Sequence, residues 1–272
     1  MMIWRNIYRG MIMGMTDLIP GVSGGTIAMI LGIYNQLITG LNQLFSKEWK
    51  KEIGFFLPLL IGILISFLLL SNVMETLLRD YPQPTYFFFI GLIIGLIPYL
   101  FQSIQYKKTF TRKHYTLVIV SALVVASTVF FSDNEVNGIV IELGWDEFIT
   151  LFFSGWLAST AMLLPGVSGS FVLLVLGVYP TVIHGLSVLN FAIISAVGLG
   201  ILVGLIVTGK VIYLLFKRFK VATYAVMVGL LIGSIVVIYP GFQADMKLAI
   251  LSVTTFIFGV IGAMLLGKYE YR

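Results

Sequence analysis

Two serines, Ser23 and Ser168, lie in the same five-residue motif, Pro-Gly-Val-Ser-Gly, at positions that are 145 residues apart. Proline and glycine interrupt a helix, so a helix that restarts after the motif begins with free backbone N–H groups beside the serine hydroxyl. Such N–H groups, a hydroxyl and the positive end of the helix dipole together favour an anion. The motif therefore predicts an anion-binding site.

The candidate substrate-binding residues are those of both motif copies and two charged residues that precede the first copy. They are Arg9, Asp17, Pro20, Gly21, Val22, Ser23, Gly24, Gly25, Thr26, Pro165, Gly166, Val167, Ser168, Gly169 and Ser170. The glycines that follow Ser23 let a ligand approach the backbone closely, and the hydroxyls of Thr26 and Ser170 add hydrogen-bond donors.

The two charged candidates each leave more than one role open. Asp17 could pair with Arg9 or Arg5, carry a coupling proton, orient the loop, or lie near the membrane surface and cap the interrupted helix. Arg9 could supply the counter-charge for a phosphate, because a guanidinium suits phosphate, or it could only anchor the N-terminus on the cytoplasmic side.

Enzymatic chemistry has little support in the sequence. Gly-Val-Ser-Gly also fits the signature around the serine of rhomboid intramembrane proteases, but that serine needs a histidine base from a later helix. The two histidines are His114, beside a basic loop, and His184, which follows Ser168 by 16 positions. No histidine and carboxylate cluster suggests a metal, and no motif resembles a nucleotide-binding loop. We expect no enzyme, no catalytic residue, no metal and no cofactor.

The composition is that of an integral membrane protein. The chain of 272 residues is 59% hydrophobic and 11% charged, with a mean hydropathy of +1.02 and no cysteine. A soluble domain carries about a quarter charged residues. The net charge of +5 is concentrated in particular loops, which indicates membrane topology rather than nucleic-acid binding. We expect one membrane domain over residues 1–272, all α-helical.

The duplication extends beyond the two motifs. The sequence around Thr85 and Gly91 recurs around Thr223 and Gly229, at an offset of 138. Pseudo-repeats over residues 1–131 and 148–272 are therefore predicted, each with a re-entrant broken-helix hairpin followed by three transmembrane helices. The six predicted helices cover about residues 54–78, 84–101, 115–131, 191–216, 222–239 and 248–266.

Charge predicts the topology. The three basic loops, which carry Lys47 to Lys51, Lys107 to Lys113 and Lys217 to Lys220, belong in the cytoplasm by the positive-inside rule, as do both termini. The acidic segment 132–147 has no lysine or arginine and belongs outside. These positions require each hairpin to return to the side from which it entered. Three crossings per half then place the second half upside down relative to the first, as in transporters with inverted repeats.

The two motifs and their flanks resemble the signatures of the DUF368 family of membrane proteins. The first signature comprises Arg9, Gly10, Gly14, Asp17, the residues Pro20 to Thr26 and Gly32-Ile33-Tyr34; the second comprises Leu164 to Ser170 and Gly177-Val178-Tyr179. The resemblance covers nearly the whole chain. It implies an inverted repeat with re-entrant hairpins, similar in design to the DedA proteins.

The same resemblance implies a substrate. Members of the family are implicated in the return of undecaprenyl phosphate, a lipid carrier, from the outer to the inner leaflet of the bacterial cytoplasmic membrane. The motifs would hold the phosphate while the tail stays in the bilayer, which makes the lipid and the membrane the expected partners and leaves no role for nucleic acid. A secondary transporter of a small soluble anion is the alternative, and a non-transporting membrane scaffold is a third class. The oligomeric state is not predicted.

Overall fold

The protein is all-helical in a computed structural model that describes residues 2–17, 23–44, 49–131, 144–243 and 245–270. Within these ranges it forms thirteen α-helices and no strand. The helices of the first half are α1 (Asn6–Asp17), α2 (Gly24–Ile30), α3 (Tyr34–Leu44), α4 (Trp49–Asp80), α5 (Pro82–Ser103), α6 (Tyr106–Thr109) and α7 (Arg112–Ser127), which a 3₁₀ turn (Thr128–Phe131) extends. Those of the second half are α8 (Trp145–Leu163), α9 (Gly169–Val175), α10 (Tyr179–Ser187), α11 (Phe191–Arg218), α12 (Lys220–Ile238) and α13 (Met246–Glu270).

The six predicted transmembrane helices are confirmed as α4, α5, α7, α11, α12 and α13. Each contains an apolar stretch of at least 19 residues that is long enough to span a membrane, and in α7 this stretch includes part of the 3₁₀ turn that extends the helix. A helix of that length rises about 28 Å, close to the thickness of the hydrocarbon core. The chain is therefore a multi-pass membrane protein. Residues 145–147 of the acidic segment that was expected to link the halves belong to the first turn of α8, where Asp146 and Glu147 favourably face the positive end of the helix dipole.

The contacts of α1 with α4 support a re-entrant first hairpin. Gly10 packs on the backbone of Leu59 and Gly14 on that of Ile63, so residue numbers rise together and the two helices run parallel. A chain that enters along α1 must therefore come back through α2 and α3 before it enters again along α4.

The second half repeats this arrangement. Gly155 of α8 packs on Val197 of α11, and Gly204 of α11 packs on Ser159 of α8, so these helices are also parallel. Between them, α9 and α10 meet at an angle of 116°, a bend that a broken span or a re-entrant segment would show, and the parallel directions of α8 and α11 favour the re-entrant segment.

Glycines also bring the two halves together. Gly91 and Gly95 of α5 pack on the backbone of α13, and Gly229 and Gly233 of α12 pack on that of α7. A Cβ at any of these four positions would lie within contact distance of a backbone carbonyl oxygen of the partner helix. Such small-residue faces let helix backbones approach closely in a membrane. In both pairs the residue numbers rise together, so each pair is parallel.

These directions determine which ends of the molecule the connections occupy. Residues 104–111, which include the short α6, join α5 to α7, so the chain turns back between these two helices. Because α12 is parallel to α7, it runs in the direction opposite to α5, its equivalent in the repeat. Tyr81, between α4 and α5, and Phe219, between α11 and α12, therefore lie at opposite ends. Equivalent helices of the two halves run in opposite directions, which is consistent with the predicted inverted repeat.

The two hairpins differ in their burial. All seven residues of α2 are buried, whereas α9 has no buried residue apart from its flanking Ser168 and is half-exposed for most of its length. One reason is that α3 packs against α11 of the other half, which draws the first hairpin into the centre of the molecule. Polar backbone at membrane depth is tolerated where protein buries it, and the start of α2, with Ser23, meets that condition.

Candidate functional site

The two interrupted hairpins meet at Ser23. Its hydroxyl oxygen accepts a hydrogen bond from the N–H of Gly25 at 3.2 Å, so Ser23 caps the start of α2. The same hydroxyl lies 3.3 Å from the carbonyl oxygens of Met162 and Leu164, at the end of α8 in the second half. The side chain is 2% exposed and thus joins both repeats at their breaks.

Two further hydrogen bonds join the hairpins. The N–H of Gly166 donates to Oγ1 of Thr26 at 2.8 Å, and the Tyr34 hydroxyl donates to the carbonyl oxygen of Leu163 at 2.7 Å. Thr26 and Tyr34 are buried. The carbonyl groups at the end of α8 lack partners within their own helix, so these contacts satisfy polar groups that would otherwise be costly at membrane depth.

The hydroxyls of the second motif bond to each other. Oγ of Ser168 lies 2.9 Å from Oγ of Ser170, at the point where α9 begins. Ser168 is buried and Ser170 half-buried. The second motif therefore keeps its hydroxyls together, while the first uses its hydroxyls to hold the opposite half.

Asp17 lies at the end of α1, directly against the start of α2. Its carboxylate accepts a hydrogen bond from the N–H of Gly24, and a Cβ at Gly24 would come within 2.7 Å of its Oδ1. Its Oδ2 is buried and has no hydrogen-bond partner within the described part of the chain. Of the roles that the sequence left open, Asp17 at least caps the interrupted helix.

Arg9 is buried between α1 and α4. Its Nη1 donates to Oδ1 of Asn6 at 3.0 Å, and the Asn6 amide donates in turn to the carbonyl oxygen of Phe55 at 2.9 Å. Eight helical residues separate Arg9 from Asp17, which is about 12 Å along α1. Arg9 is thus a buried cation about two turns of α1 away from Asp17.

The remaining motif residues differ in how much the structure describes. Pro20, Gly21 and Val22 lie outside the described residues. Pro165 and Gly166 are buried, Val167 is half-buried, and a Cβ at Gly169 would lie 2.7 Å from the carbonyl oxygen of Ala158.

We call the contacts of Ser23, Thr26 and Tyr34 with residues 162–166 the hairpin junction. An apolar cavity of about 430 Å³ reaches this junction, and we call it the hairpin cavity. Gly24 and Gly25 of the first hairpin and Met162 and Leu163 of the second form its inner end. Its walls are aliphatic and aromatic side chains of α1, α3, α4 and α11. The rim residue Leu60 of α4 is 53% exposed on a membrane-spanning face, so the cavity opens sideways toward the lipid.

Two features of the site were missed by the interpretation of the motifs. The Tyr34 hydroxyl, which bonds across the halves, was treated only as part of a resemblance. The second turn of each hairpin depends on Gly32 and Gly177, whose φ angles of 66° and 72° favour glycine. The repeated Gly-x-Tyr sequence, at Gly32 and again at Gly177, was the available signal for both.

Replacement of Tyr34 by phenylalanine should destabilise the protein by about 1–2 kcal/mol, because it leaves the buried Leu163 carbonyl without its donor. Thermal unfolding of the purified protein in detergent measures this effect. Tyr179→Phe is the matched control, since Tyr179 holds the equivalent place in the second motif but is half-exposed. An equal midpoint for Tyr34→Phe and the unchanged protein would show that this bond contributes nothing.

Comparison with known proteins gives a consistent result. The model of the VCA0040-like family, described as undecaprenyl phosphate translocase-like, matches residues 13–255. A polyprenyl-phosphate transporter from Staphylococcus aureus is 42% identical over 272 residues, covering 97% of this chain and 96% of the relative. A polyprenyl-phosphate transporter from Vibrio cholerae serotype O1 is 30% identical over 245 residues, covering 85% of this chain and 76% of the relative. No solved structure matches the chain.

Proposed function

The chain belongs to the VCA0040-like, undecaprenyl phosphate translocase-like family, and from this premise we propose that it moves undecaprenyl phosphate, or a similar polyprenyl phosphate, between the leaflets of a membrane. The observation that carries the proposal is the hairpin junction, where polar groups from both repeats meet at the inner end of a cavity that opens toward lipid. A polyprenyl phosphate has the matching chemistry, with one anionic head group on a long apolar tail.

The head group would bind where the two breaks meet. The hydroxyls of Ser23 and Thr26 and the N–H of Gly166 bond across the halves in the structure. A phosphate offers oxygen acceptors to the Ser23 hydroxyl and the Gly166 N–H, so that these two donors exchange their partners for the head group. The Thr26 hydroxyl, which accepts from Gly166 in the structure, has a hydrogen of its own to donate to the phosphate. The serine pair of the second motif, Ser168 and Ser170, adds two further hydroxyls.

This exchange supplies a mechanism for alternating access. The bonds that hold the first hairpin against α8 close the path between the repeats, and a head group that takes over those bonds loosens the contact. The junction can then open toward the other side, as the inverted repeat requires. Arg9 provides positive charge about 12 Å along α1 from Asp17, which attracts the anion across a medium of low dielectric constant.

The lining of the hairpin cavity favours a lipid over a small soluble anion. Apart from glycines, the residues around it are apolar, and several of them are exposed toward the bilayer. A soluble anion gains nothing from such walls, whereas a prenyl tail keeps an apolar environment throughout the movement.

We place the protein in a bacterial cytoplasmic membrane, with both termini in the cytoplasm and the acidic segment 132–147 outside. The charge distribution supports this orientation, because Lys107, Lys108, Lys217 and Arg218 lie at one end of the molecule and Asp146 lies at the other. The direction would be from the outer to the inner leaflet, and the chain would act as a transporter rather than an enzyme.

Reconstitution tests the proposed function. The purified chain is placed in vesicles of phosphatidylethanolamine and phosphatidylglycerol, and the transbilayer movement of undecaprenyl phosphate is followed with and without an ion gradient. Uptake of inorganic phosphate into the same vesicles tests the soluble-anion alternative. Movement of the lipid without phosphate uptake supports the proposal, and the reverse result overturns it.

Asp17→Asn should lower this movement by at least about tenfold while the protein remains folded. Asparagine keeps an oxygen that can accept the Gly24 N–H, so the cap of α2 survives. It removes the site for a proton beside the head group, and two anions in a desolvated site repel unless one carries a proton. The initial rate in proteoliposomes, with and without a proton gradient, is the measurement.

The gradient separates the roles of Asp17. If Asp17 carries the coupling proton, Asp17→Asn abolishes the response to the gradient and retains slow movement without it. A variant with the full rate and the full response to the gradient would restrict Asp17 to capping.

A further inference from the structure

Two more apolar cavities flank the hairpins. The first, of about 440 Å³, lies where α4 turns into α5 and is closed by α13; we call it the α4–α5 pocket. The second, of about 260 Å³, lies where α11 turns into α12 and is closed by α7; we call it the α11–α12 pocket. Neither was part of the site described above.

The two pockets are built from equivalent residues of the repeat. Six residues that line the α4–α5 pocket are Met74, Leu77, Tyr81, Pro84, Thr85 and Phe88. The sequence repeat in this region has an offset of 138, and adding 138 to each of these six positions gives a residue that lines the α11–α12 pocket. These are Ile212, Leu215, Phe219, Ala222, Thr223 and Val226.

Equivalent hydrogen bonds shape the two walls. Oγ1 of Thr85 donates to the carbonyl oxygen of Tyr81 at 2.7 Å, and Oγ1 of Thr223 donates to that of Phe219 at 2.9 Å. Because both threonine hydroxyls are bonded to their own backbone, what the walls offer a ligand is mostly hydrocarbon. A surface gap that arose by chance would not be expected at both equivalent places.

Each pocket extends from one end of the molecule to one of the hairpins. Tyr81 and Phe219 lie at opposite ends, as the helix directions require. The α4–α5 pocket reaches Met15, two residues before Asp17, and the α11–α12 pocket reaches Leu164, whose carbonyl oxygen lies 3.3 Å from the Ser23 hydroxyl. Each pocket therefore borders residues next to the hairpin junction, and the two do so from opposite leaflets.

We propose that the α4–α5 and α11–α12 pockets are a matched pair of binding sites for the polyprenyl chain, one in each leaflet. This proposal rests on the proposed function, because it assumes that the head group binds at the hairpin junction. The part of the tail next to the head group lies in the pocket of one leaflet before transfer and in the pocket of the other leaflet afterwards. The rest of the tail stays in the bilayer.

The unequal volumes fit sequential use of the two pockets. The side chains around the smaller pocket are no larger than their equivalents around the larger one, with Val226 at the place of Phe88, so the difference between about 440 and 260 Å³ comes from how the helices are spaced. An inverted repeat that alternates between two states exchanges the environments of its halves, so the pocket that is larger in one state becomes the smaller one in the other.

The first test fills each pocket. Leu77→Trp and Leu215→Trp are equivalent substitutions, and each should lower the initial rate of undecaprenyl phosphate movement by about tenfold, the change expected when a few methylene groups lose their apolar environment. Leu69→Trp and Val207→Trp are the matched controls, at the same offset of 138. Both control positions are exposed on α4 and α11 and line neither pocket.

The second test identifies the occupant. The chain has no cysteine, so a single cysteine at position 77 or 215 can carry a bimane fluorophore without competing labels. In vesicles of phosphatidylethanolamine and brominated phosphatidylglycerol, the bromine quenches the fluorophore. Undecaprenyl phosphate added at a few mole per cent should relieve the quenching at positions 77 and 215. It should leave quenching at positions 69 and 207 unchanged, and phosphatidic acid at the same fraction should leave all four unchanged.

These outcomes separate the pockets from the function. If the unchanged protein moves the lipid and both pocket-filling variants move it equally fast, the pockets play no part and the proposed function still holds. If phosphatidic acid relieves the quenching as well as undecaprenyl phosphate does, the occupant is an ordinary acyl chain, and the proposal is wrong. If the unchanged protein moves no lipid, the proposed function fails, and the quenching still decides whether the pockets bind the polyprenyl chain.

Discussion

Replacement of Ser23 by leucine should lower the movement of polyprenyl phosphate by at least about a hundredfold, because this one side chain both starts α2 and joins the two halves. The hydroxyl accepts from the Gly25 N–H and lies 3.3 Å from the Met162 and Leu164 carbonyl oxygens. Loss of a helix cap costs about 1 kcal/mol. The hydroxyl can donate to only one of the two carbonyls at a time, and the loss of that bond and a side chain that does not fit cost about 1–3 kcal/mol each.

Ser23 is also a proposed contact of the head group. Leucine therefore changes two things at once, the loss of the hydroxyl and the added side-chain volume, and separate variants distinguish them. Ser23→Ala removes the hydroxyl without adding volume, and Ser23→Thr keeps a hydroxyl with one added methyl group. If the hydroxyl binds the phosphate, alanine should lose most of the transport and threonine should keep part of it. If only space matters, alanine should transport at nearly the full rate.

Ser195→Leu is the control for insertion and folding. Ser195 is exposed on α11, and its hydroxyl donates to Ala192 within its own helix. The initial rate in proteoliposomes is compared at equal amounts of inserted protein, with thermal unfolding in detergent as the measure of folding. If folded Ser23→Leu protein moved the lipid at the wild-type rate, neither Ser23 nor the hairpin junction could be the binding site for the head group.

The six long helices could be predicted because their signal is local. Each needs about 20 consecutive apolar residues, which the sequence displays directly, and the structure begins and ends these helices within about five residues of the predicted bounds. The resemblance drawn from the paired motifs is confirmed by the family model, which matches residues 13–255. The restart of a helix at residues 23–26 was predicted from the proline and glycine before it, and α2 begins at Gly24.

The partners of the motif residues could not be predicted, because they lie far away in the chain. Ser23 and Met162 are separated by 139 positions, and Thr26 and Gly166 by 140. The motif chemistry indicates only that donors will be available. Which acceptors they meet depends on how α3 packs on α11 and on the close glycine contacts of α1 with α4, and these are properties of the assembled bundle.

The unequal burial of the hairpins is the second feature beyond the reach of the sequence. Two nearly identical motifs predict two similar sites, yet α2 is buried and α9 is half-exposed. The five motif residues are identical, but α2 and α9 share only their first residue, Gly24 and Gly169. A transporter built from two inverted halves also holds them in different environments at any one time, so the asymmetry has a source in the conformation as well as in the residues.

Gly166→Ala should lower stability by about 2–5 kcal/mol, because both the backbone conformation and the space at this position are restricted. Gly166 has a φ of +85°, which a residue with a Cβ adopts at a cost of about 1–2 kcal/mol. The added Cβ would also lie 2.6 Å from the carbonyl oxygen of Leu230, and a buried backbone can move away only by shifting α12. The N–H of Gly166 would then leave Oγ1 of Thr26.

Gly241→Ala is a control that isolates the backbone term. Gly241 has a φ of +80°, but nothing lies within 4 Å of the position that its Cβ would take. Its cost should be limited to about 1 kcal/mol. Thermal unfolding in detergent and lipid movement are measured for both variants. If both variants unfold at the same temperature, the contact with Leu230 has no energetic consequence and the described packing of the junction is wrong.

Thr26→Val tests the same hydrogen bond from its other side, because it removes the acceptor of the Gly166 N–H without imposing strain on the backbone. If Gly166 and Thr26 act through their shared hydrogen bond, the double variant Gly166→Ala/Thr26→Val should transport at about the rate of the more impaired single variant, since a bond can be lost only once. If the fold-losses in transport rate of the two single variants multiply in the double variant instead, the effect of Gly166→Ala comes mainly from the displacement of α12. A multiplied loss would leave Thr26 as an independent contact of the head group, and a single shared loss would make the bond between the halves the element that transport requires.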